Sequence, residues 1–320
     1  MSDPEADILG ASAAIVALRR LAPKIALSDA PTLITGSTGT GKEHVARVLH
    51  RRSARAQKPF VALNCAAIPE TLFESELFGF ERGSFTGATR SQPGKAVIAD
   101  GGTLFLDEIG ELTSFSQSKL LRMIEAHEVH PLGAQRPIKV DLRIIAATNQ
   151  RVEEAIASGQ FRSDLYYRLN VARIAIPDLI ERREDIPLYL DHFIGLFNES
   201  RGTRVGGVDR ELMDLLVRYD WPGNVREVRN FVEGVFIDPP DGLIGTRHIP
   251  AAFARLHRTY ARTGQEEHAR LVAALEQSDW NKAEAAKLLH WSRMTLYRKL
   301  TKYSVTRKGT GDGPAAKRDT

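Results

Sequence analysis

Cysteine is almost missing from this chain: Cys65 is the single one among 320 residues. One thiol forms neither an intramolecular disulfide nor a cysteine-based metal cluster, which fits a reducing compartment and makes the cytoplasm the expected location. Long apolar runs are missing as well. No stretch approaches the roughly 18 uninterrupted apolar residues of a membrane-spanning helix, so no membrane insertion is expected. The first residues carry Asp3, Glu5 and Asp7 where an export signal would carry Lys or Arg, which argues against secretion. No internal repeat is visible. Nor is there the bias of a disordered or fibrous chain, because 42% hydrophobic, 26% charged and 7% aromatic residues is ordinary for a folded protein.

What is present fits roughly two domains of about 150 residues, and the charge is divided unevenly between them. Residues 254–320 hold 14 Lys plus Arg against 7 Asp plus Glu, a balance of +7 within a formal net charge of +4, so residues 1–253 carry −3. A small basic end on a near-neutral larger body points to a nucleic-acid partner for that end.

Strand-like apolar runs at residues 32–35, 60–63, 103–106, 142–147 and 171–176 alternate with helix-length amphipathic segments. Near-continuous apolarity implies strands buried on both faces, hence an α/β fold with a parallel sheet between helices. After Pro177 the strand signals stop. Residues 185–198 and 209–237 read as helical, broken by Trp-Pro-Gly-Asn at 221–224. The prolines and glycines of 237–247 read as a hinge, and residues 266–303 are again helical in period. The last stretch contains almost nothing to bury and is expected to be disordered.

Gly-Ser-Thr-Gly-Thr-Gly-Lys-Glu at 36–43 stands between the first strand and an amphipathic helix starting near Gly41. Gly36, Gly39 and Gly41 let the backbone curl around Ser37, Thr38 and Thr40 so that N–H groups and the helix N-terminus converge on phosphate oxygens. Lys42 adds a full positive charge near the terminal phosphates. The ligand this predicts is ATP with Mg2+. Glu43 stands where a magnesium-binding Ser or Thr is usual, so the metal must lean on another group. Asp107, at the carboxyl end of the 103–106 strand, is expected to hold Mg2+ through water, with Glu108 polarising the water that attacks the γ-phosphate. Thr148 and Asn149 end another strand and could orient that water or sense the γ-phosphate. Arg162, Arg168 and Arg226 are candidates for γ-phosphate contacts, some reaching across from a neighbouring subunit.

These residues resemble the AAA+ activators of sigma-54 RNA polymerase, the bacterial enhancer-binding proteins. The similarity runs from Ile8 to about Val305 and rests on motifs in the family's order: GSTGTGKE, LNCAA, SELFGFERGSFTGA, ADGGTLFLDEIGEL, AATN, FRSDLYYRLN, REDIPL and WPGNVREVRN. The resemblance implies an AAA+ P-loop ATPase with a helical lid, in which Asn64 is the switch asparagine holding the catalytic glutamate. It makes Arg162 and Arg168 trans-acting fingers and Arg226 the lid sensor. It also implies that the loop Gly83, Ser84, Phe85, Thr86, Gly87 and Ala88 touches sigma-54. Physically, the two glycines give a moving loop its flexibility, and Phe85 with Thr86 give it an apolar tip and a hydrogen-bonding group. The chain departs from the family at Ser84 (usually Ala), Phe80 (usually His), Ala96 and Val97 (usually Phe-Glu) and Ile180 (usually Arg).

Residues 282–289 and 293–302 read as two helices joined by a turn, the second capped by Ser292. Ala285, Leu289, Leu296 and Leu300 face inward, leaving Arg293, Met294, Thr295, Arg298, Lys299 and Lys302 for bases and phosphates. This end resembles Fis-type helix-turn-helix domains, with His290 where the turn usually has glycine. The expected division is 1–176 for the ATPase subdomain, 177–237 for the lid, 238–264 for a linker, 265–305 for the DNA-binding domain and 306–320 for a disordered tail. Because the ATPase begins within about ten residues of Met1, control by a separate regulatory protein is expected. The reading is an activator that binds upstream double-stranded DNA, assembles into a ring, expected to be a hexamer, and spends ATP to open the sigma-54 RNA polymerase holoenzyme complex. The alternative is a DNA-binding regulator whose ATP module only sets oligomeric state.

Overall fold

Five short apolar strands make one parallel sheet: β1 (Thr32–Thr35), β2 (Phe60–Asn64), β3 (Thr103–Asp107), β4 (Arg143–Thr148) and β5 (Ala172–Ala175). Their order across the sheet is β2-β3-β4-β1-β5. The structure is a computed structural model describing residues 8–85, 88–303 and 305. Each strand lies within one or two residues of its sequence expectation. All six residues of β4 and four of five in β3 are buried, as strands covered on both faces must be.

The helices of this unit are α1 (Ala13–Ala26), α2 (Lys42–Arg51), α3 (Glu70–Phe78), α4 (Lys95–Ile98), α5 (Ser114–Ala126), α6 (Val152–Ala157) and α7 (Ser163–Leu169). Strand period two sends neighbouring side chains to opposite faces. Leu104, Leu106, Ile144 and Ala146 join one layer with Phe73, Leu120 and Leu165. Phe105, Ile145 and Ala147 join the other, with Ile15, Leu18, Val45 and Leu49. Both layers hold the carboxyl ends of β1, β3 and β4 side by side.

The lid consists of α8 (Ile186–Arg201), α9 (Arg210–Arg218) and α10 (Asn224–Val235). The predicted break at 221–224 is a turn in which Trp221 and Asn224 both take positive φ, 49° and 52°. Fully buried Trp221 locks it by donating its indole N–H to the Leu216 carbonyl at 2.8 Å. The stretch read as a linker is partly packed: Ile244 is fully buried and bridged to Val208, and Ile249 is buried too. Its prolines and glycines mark where regular structure stops, but its apolar residues still have a core to enter. Chain contacts divide the molecule into residues 1–250 and 251–320. The second unit contains α11 (Ala254–Gln277), α12 (Lys282–Leu288) and α13 (Arg293–Lys302), and α11 begins inside the expected linker. The expected tail, 306–320, lies outside the described residues.

Beneath the sheet sits an unusual charge. Arg143 is fully buried and donates to the carbonyls of Ile25 and Ala26, at 2.8 and 2.9 Å, where α1 ends. The negative end of the helix dipole accommodates the guanidinium there. Nearby His50 is buried with Nδ1 2.9 Å from Thr103 Oγ1. Burial, and then the positive charge of Arg143, hold the His50 imidazole below its usual pKa. A histidine that binds its proton less readily when folded stabilises the fold fully above the unfolded value of about 6.5, and that stability is lost as pH falls below it. Chemical denaturation should therefore show stability declining as pH falls from about 6.5, and His50→Gln should flatten that part of the profile.

Candidate functional site

The loop joining β1 to α2 wraps around one ammonium group. Gly41 caps α2 with φ 106°, and the Thr40 hydroxyl donates back to the Ser37 carbonyl at 2.8 Å. Lys42 is only 6% exposed; its Nζ donates to the Gly36 carbonyl at 2.9 Å and to Glu108 Oε1 at 3.1 Å. Glu43 turns outward on α2, paired with Arg47 at 2.7 Å. It therefore leaves the loop to its backbone and to Lys42.

Across the sheet, Asp107 ends β3 and Glu108 follows with φ 54° and ψ 50°. That left-handed backbone, uncommon away from glycine, aims the Glu108 carboxylate back over the loop. Glu108 Oε2 accepts from the Asn149 backbone N–H at 3.0 Å, while Asn149 Nδ2 donates to Thr38 Oγ1 at 3.2 Å. Three strands thus meet at one carboxylate. Burial and then the Glu108 charge raise the Asp107 carboxyl above its usual range. Thr148 is fully buried and accepts the Gln150 N–H. Asn64 lies opposite Asp107 in strand register, but its Oδ1 accepts the Ala66 N–H at 3.0 Å. Glu108 is held by Lys42 and Asn149 in place of the expected asparagine, because a short turn after β2 draws the Asn64 side chain to its own backbone. The adjacent Cys65 thiol is pushed up to about 12 by burial and then by the charges of Asp107 and Glu108, so it stays protonated.

The lid reaches the same loop. Asn224 accepts the Leu179 N–H at 2.7 Å and donates to the Thr38 carbonyl at 3.2 Å. The Arg226 N–H donates to the Gly39 carbonyl, at 3.2 Å, while its side chain is exposed. Gly39, at φ 82°, must be glycine: a Cβ there would stand 2.3 Å from the Gly223 carbonyl oxygen. Buried Arg182 donates to the Thr40 carbonyl and to the Tyr189 hydroxyl, and buried Asp185 accepts the N–H groups of Ala11 and Ser12.

Arg168 on α7 and Arg162, the residue that caps its N-terminus, are both exposed. Arg162 pairs with Asp164 at 2.6 Å and donates to the Ser118 hydroxyl. Arg168 lines a cavity of about 270 Å³ beside Pro31, Leu142 and Val171, residues that precede strands, at the amino ends of the strands and so opposite the loop. Neither arginine serves the chain's own Lys42 site.

In the segment between α3 and α4, Gly79–Phe80 pairs with Gln92–Pro93. Phe85 is 45% exposed and packs edge-on against Phe80, ring centroids 5.1 Å apart. Ser84 sits against Gly133, whose absent Cβ would lie 2.8 Å from the serine Cβ, and the buried Ser84 hydroxyl has no hydrogen-bond partner among the described residues. Ala88 is buried; Thr86 and Gly87 lie outside the described residues.

In the second unit, Ser292 caps α13 by accepting the Thr295 N–H at 3.1 Å. Leu296 is fully buried with Leu271, Leu275 and Leu289. His290 takes the left-handed backbone, φ 53°, at the turn position where glycine would be unstrained. One expected DNA contact changes role. Lys299 Nζ lies 2.7 Å from Glu267 Oε2 of α11, and its side chain is 13% exposed. It points inward because it falls on the Leu296 side of the helix.

A family model described as "Sigma-54 interaction domain" matches residues 8–175, more than half of the chain. The chain belongs to the sigma-54 interaction domain family. Two further models match this sigma-54 family chain, an "AAA+ ATPase lid domain" at 180–266 and "Bacterial regulatory protein, Fis family" at 264–303. Transcriptional regulatory protein ZraR of Salmonella typhimurium is 46% identical over 301 residues, covering 92% of this chain and 68% of that protein. The DNA-binding transcriptional regulator NtrC of Klebsiella pneumoniae is 41% identical over 331 residues, covering 94% and 71%. Crystal structures of NtrX from Brucella abortus in complex with ADP and with ATP match with TM-score 0.71 and 34% identity. They cover 94% and 93% of this chain and 69% of NtrX. The fold is thus that of an AAA+ P-loop domain with a lid, followed by a helix-turn-helix region. Among the described residues no helix is long and apolar enough to cross a membrane.

The structure of this sigma-54 family member adds Asn224, Arg182 and Asp185 to the sequence reading. Their signal was faint: an Asn closing a Trp-Pro-Gly turn, and charges in Glu-Arg-Arg-Glu-Asp that look like solvated surface. Asn224→Ala would leave the buried Leu179 N–H unpaired and place alanine at positive φ. It should cost about 2–4 kcal/mol in chemical denaturation and loosen nucleotide binding, measured by titration, because the lid would lose its hold on Thr38.

Proposed function

We propose that this chain is an ATP-driven activator of sigma-54 transcription, which uses hydrolysis to remodel the closed polymerase complex into an open one. The observation that carries the reading is the convergence of Lys42, Glu108 and the Asn149 N–H at one point on the sheet, in the same unit that bears the Gly-Ser-Phe-Thr-Gly-Ala segment. The complexes of NtrX with ADP and ATP support ATP as the nucleotide.

In this account the backbone N–H groups of Gly36, Ser37, Thr38, Gly39, Thr40 and Gly41 cradle the phosphates, with Lys42 on the terminal ones. Bound γ-phosphate would compete with Glu108 for Lys42. Glu108, freed from that ion pair, then takes the proton of the attacking water. Asn149 links its position to Thr38 and so to the phosphates; Asn64, next to Asp107, would take over Glu108 as Lys42 lets go, once its side chain leaves the Ala66 N–H. Asp107 fits Mg2+ as a carboxylate donor, and when bound the ion neutralises charge developing on the phosphate oxygens. Among the described residues no cluster of three or more metal-binding side chains gathers. The ion would rest on Asp107 and the phosphates, as magnesium often does. Exposed Arg162 and Arg168, away from their own loop, suit fingers that complete a neighbour's site, which requires a ring, expected to be a hexamer. Arg226 rides on the lid against Gly39 and would report the nucleotide to it. Phe85 would carry the stroke to sigma-54 while the C-terminal helices hold upstream DNA.

One observation favours the alternative, a DNA-binding regulator whose ATP module only sets assembly: Phe85 leans on Phe80, and the buried Ser84 hydroxyl has no partner among the described residues. Transcription from a sigma-54 promoter decides between them. ATP-dependent open complexes, scored by strand melting, are expected, and binding to the promoter without melting would establish the alternative. Glu108→Gln should still bind ATP but hydrolyse it about 10²–10⁴-fold more slowly. Lys42→Ala should abolish turnover while DNA binding persists. Phe85→Ala should leave hydrolysis intact and lose open complexes.

A further inference from the structure

The outer face of α13 is not uniformly basic. At about 100° per residue, Tyr297, Met294, Arg298 and Lys302 follow one another around the side away from buried Leu296 and the Lys299–Glu267 pair, and Arg293 borders that side next to Tyr297, about 60° from Leu296. Met294 is 79% exposed and Tyr297 51%, and they occupy the middle of that face with the arginines at its edges. Lys282 Nζ stands 5.1 Å from the centroid of the Tyr297 ring, fixing the ring at the mouth of the helix pair. Thr295 is already spent on the cap, its hydroxyl 2.8 Å from Ser292 Oγ and its N–H on the same oxygen.

Lys299 is committed as firmly. Burial alone would raise the Glu267 carboxyl; hydrogen bonds from Lys299 and Tyr303 outweigh it and hold it below the usual range. Tyr303, pushed up to about 12 by burial and by that bond, remains a donor to the same oxygen. Lys299 therefore positions α13 against α11.

The Met294 side chain and the Tyr297 ring, exposed within a cationic helix face, cost free energy in water that is recovered when apolar surface covers them. The flanking arginines select a polyanion. Where a helix enters a DNA major groove, the apolar surface on the base edges is the thymine 5-methyl group. We propose that Met294 and Tyr297 read thymine methyls in the major groove, so that the recognised half-site carries thymine under each. Arg293 and Arg298 supply polar contacts, and Lys299 touches no DNA. This rests on the helix-turn-helix reading of the C-terminal unit and names what its recognition helix reads.

The full-length protein is first allowed to select duplexes from a random 24-bp pool. Selected sites should contain recurrent thymines, and replacing each by deoxyuridine, which removes only the methyl, should weaken binding about fourfold at two positions per half-site. In Met294→Ala one of those positions should become insensitive to uracil, and in Tyr297→Ala the other. Tyr297→Phe should keep its sensitivity, since the ring is the reader. Arg293→Ala should weaken binding to thymine and uracil duplexes alike. Two outcomes overturn the proposal: indifference to uracil in the unmodified protein, or uracil sensitivity unchanged in both alanine variants. Failure to select any duplex would be distinct, since it removes the DNA-binding reading itself and this proposal with it.

Discussion

A lysine ammonium that is 6% exposed must be paired, and everything around the nucleotide loop follows from how this chain pairs Lys42. An uncompensated buried charge costs several kcal/mol. The loop supplies the Gly36 carbonyl, and β3 supplies Glu108. The second acceptor lies 66 residues away, so the pair ties the β1–α2 loop to the end of β3. The same carboxylate also takes the Asn149 N–H from the end of β4. One glutamate thereby fixes three strand ends, and anything that draws Lys42 away changes all three.

The lid is bound to this arrangement through the backbone. Asn224 reaches the Thr38 carbonyl, Arg182 the Thr40 carbonyl, and the Arg226 N–H the Gly39 carbonyl. Contacts to carbonyls tolerate changes of side chain in the loop but not of its path, which is why Gly39 can carry no Cβ beneath Gly223. Loop geometry and lid position form one mechanical unit, with Trp221 anchoring the turn from which Asn224 projects.

Phe80, Ser84 and His290, three of the departures expected from the resemblance, meet different local conditions. Phe80 meets Phe85 ring to ring, Ser84 is accommodated by the missing side chain of Gly133, and His290 accepts a positive φ in the turn. The Lys42 loop rises from the five-stranded sheet, whereas the Ser84–Phe85 segment is framed by its own two-stranded pairing of Gly79–Phe80 with Gln92–Pro93.

Much was legible beforehand. The strands, the phosphate-type loop, the break at 221–224 and the two C-terminal helices are written in local spacing: apolar runs, glycines before a lysine, a serine cap ahead of a helical period. Such features depend on neighbours within a few residues, and a linear reading captures them. The sequence by itself determined which residues gather at strand ends and which helix carries basic charge. Only the tertiary structure decided that Glu108 answers to Lys42 and the Asn149 N–H while Asn64 turns to its own backbone. It also turned Lys299 inward to Glu267 and left Met294 and Tyr297 facing out. Those outcomes are set by competition among partners far apart in the chain, where burial decides which charge is paired and which face remains for another molecule.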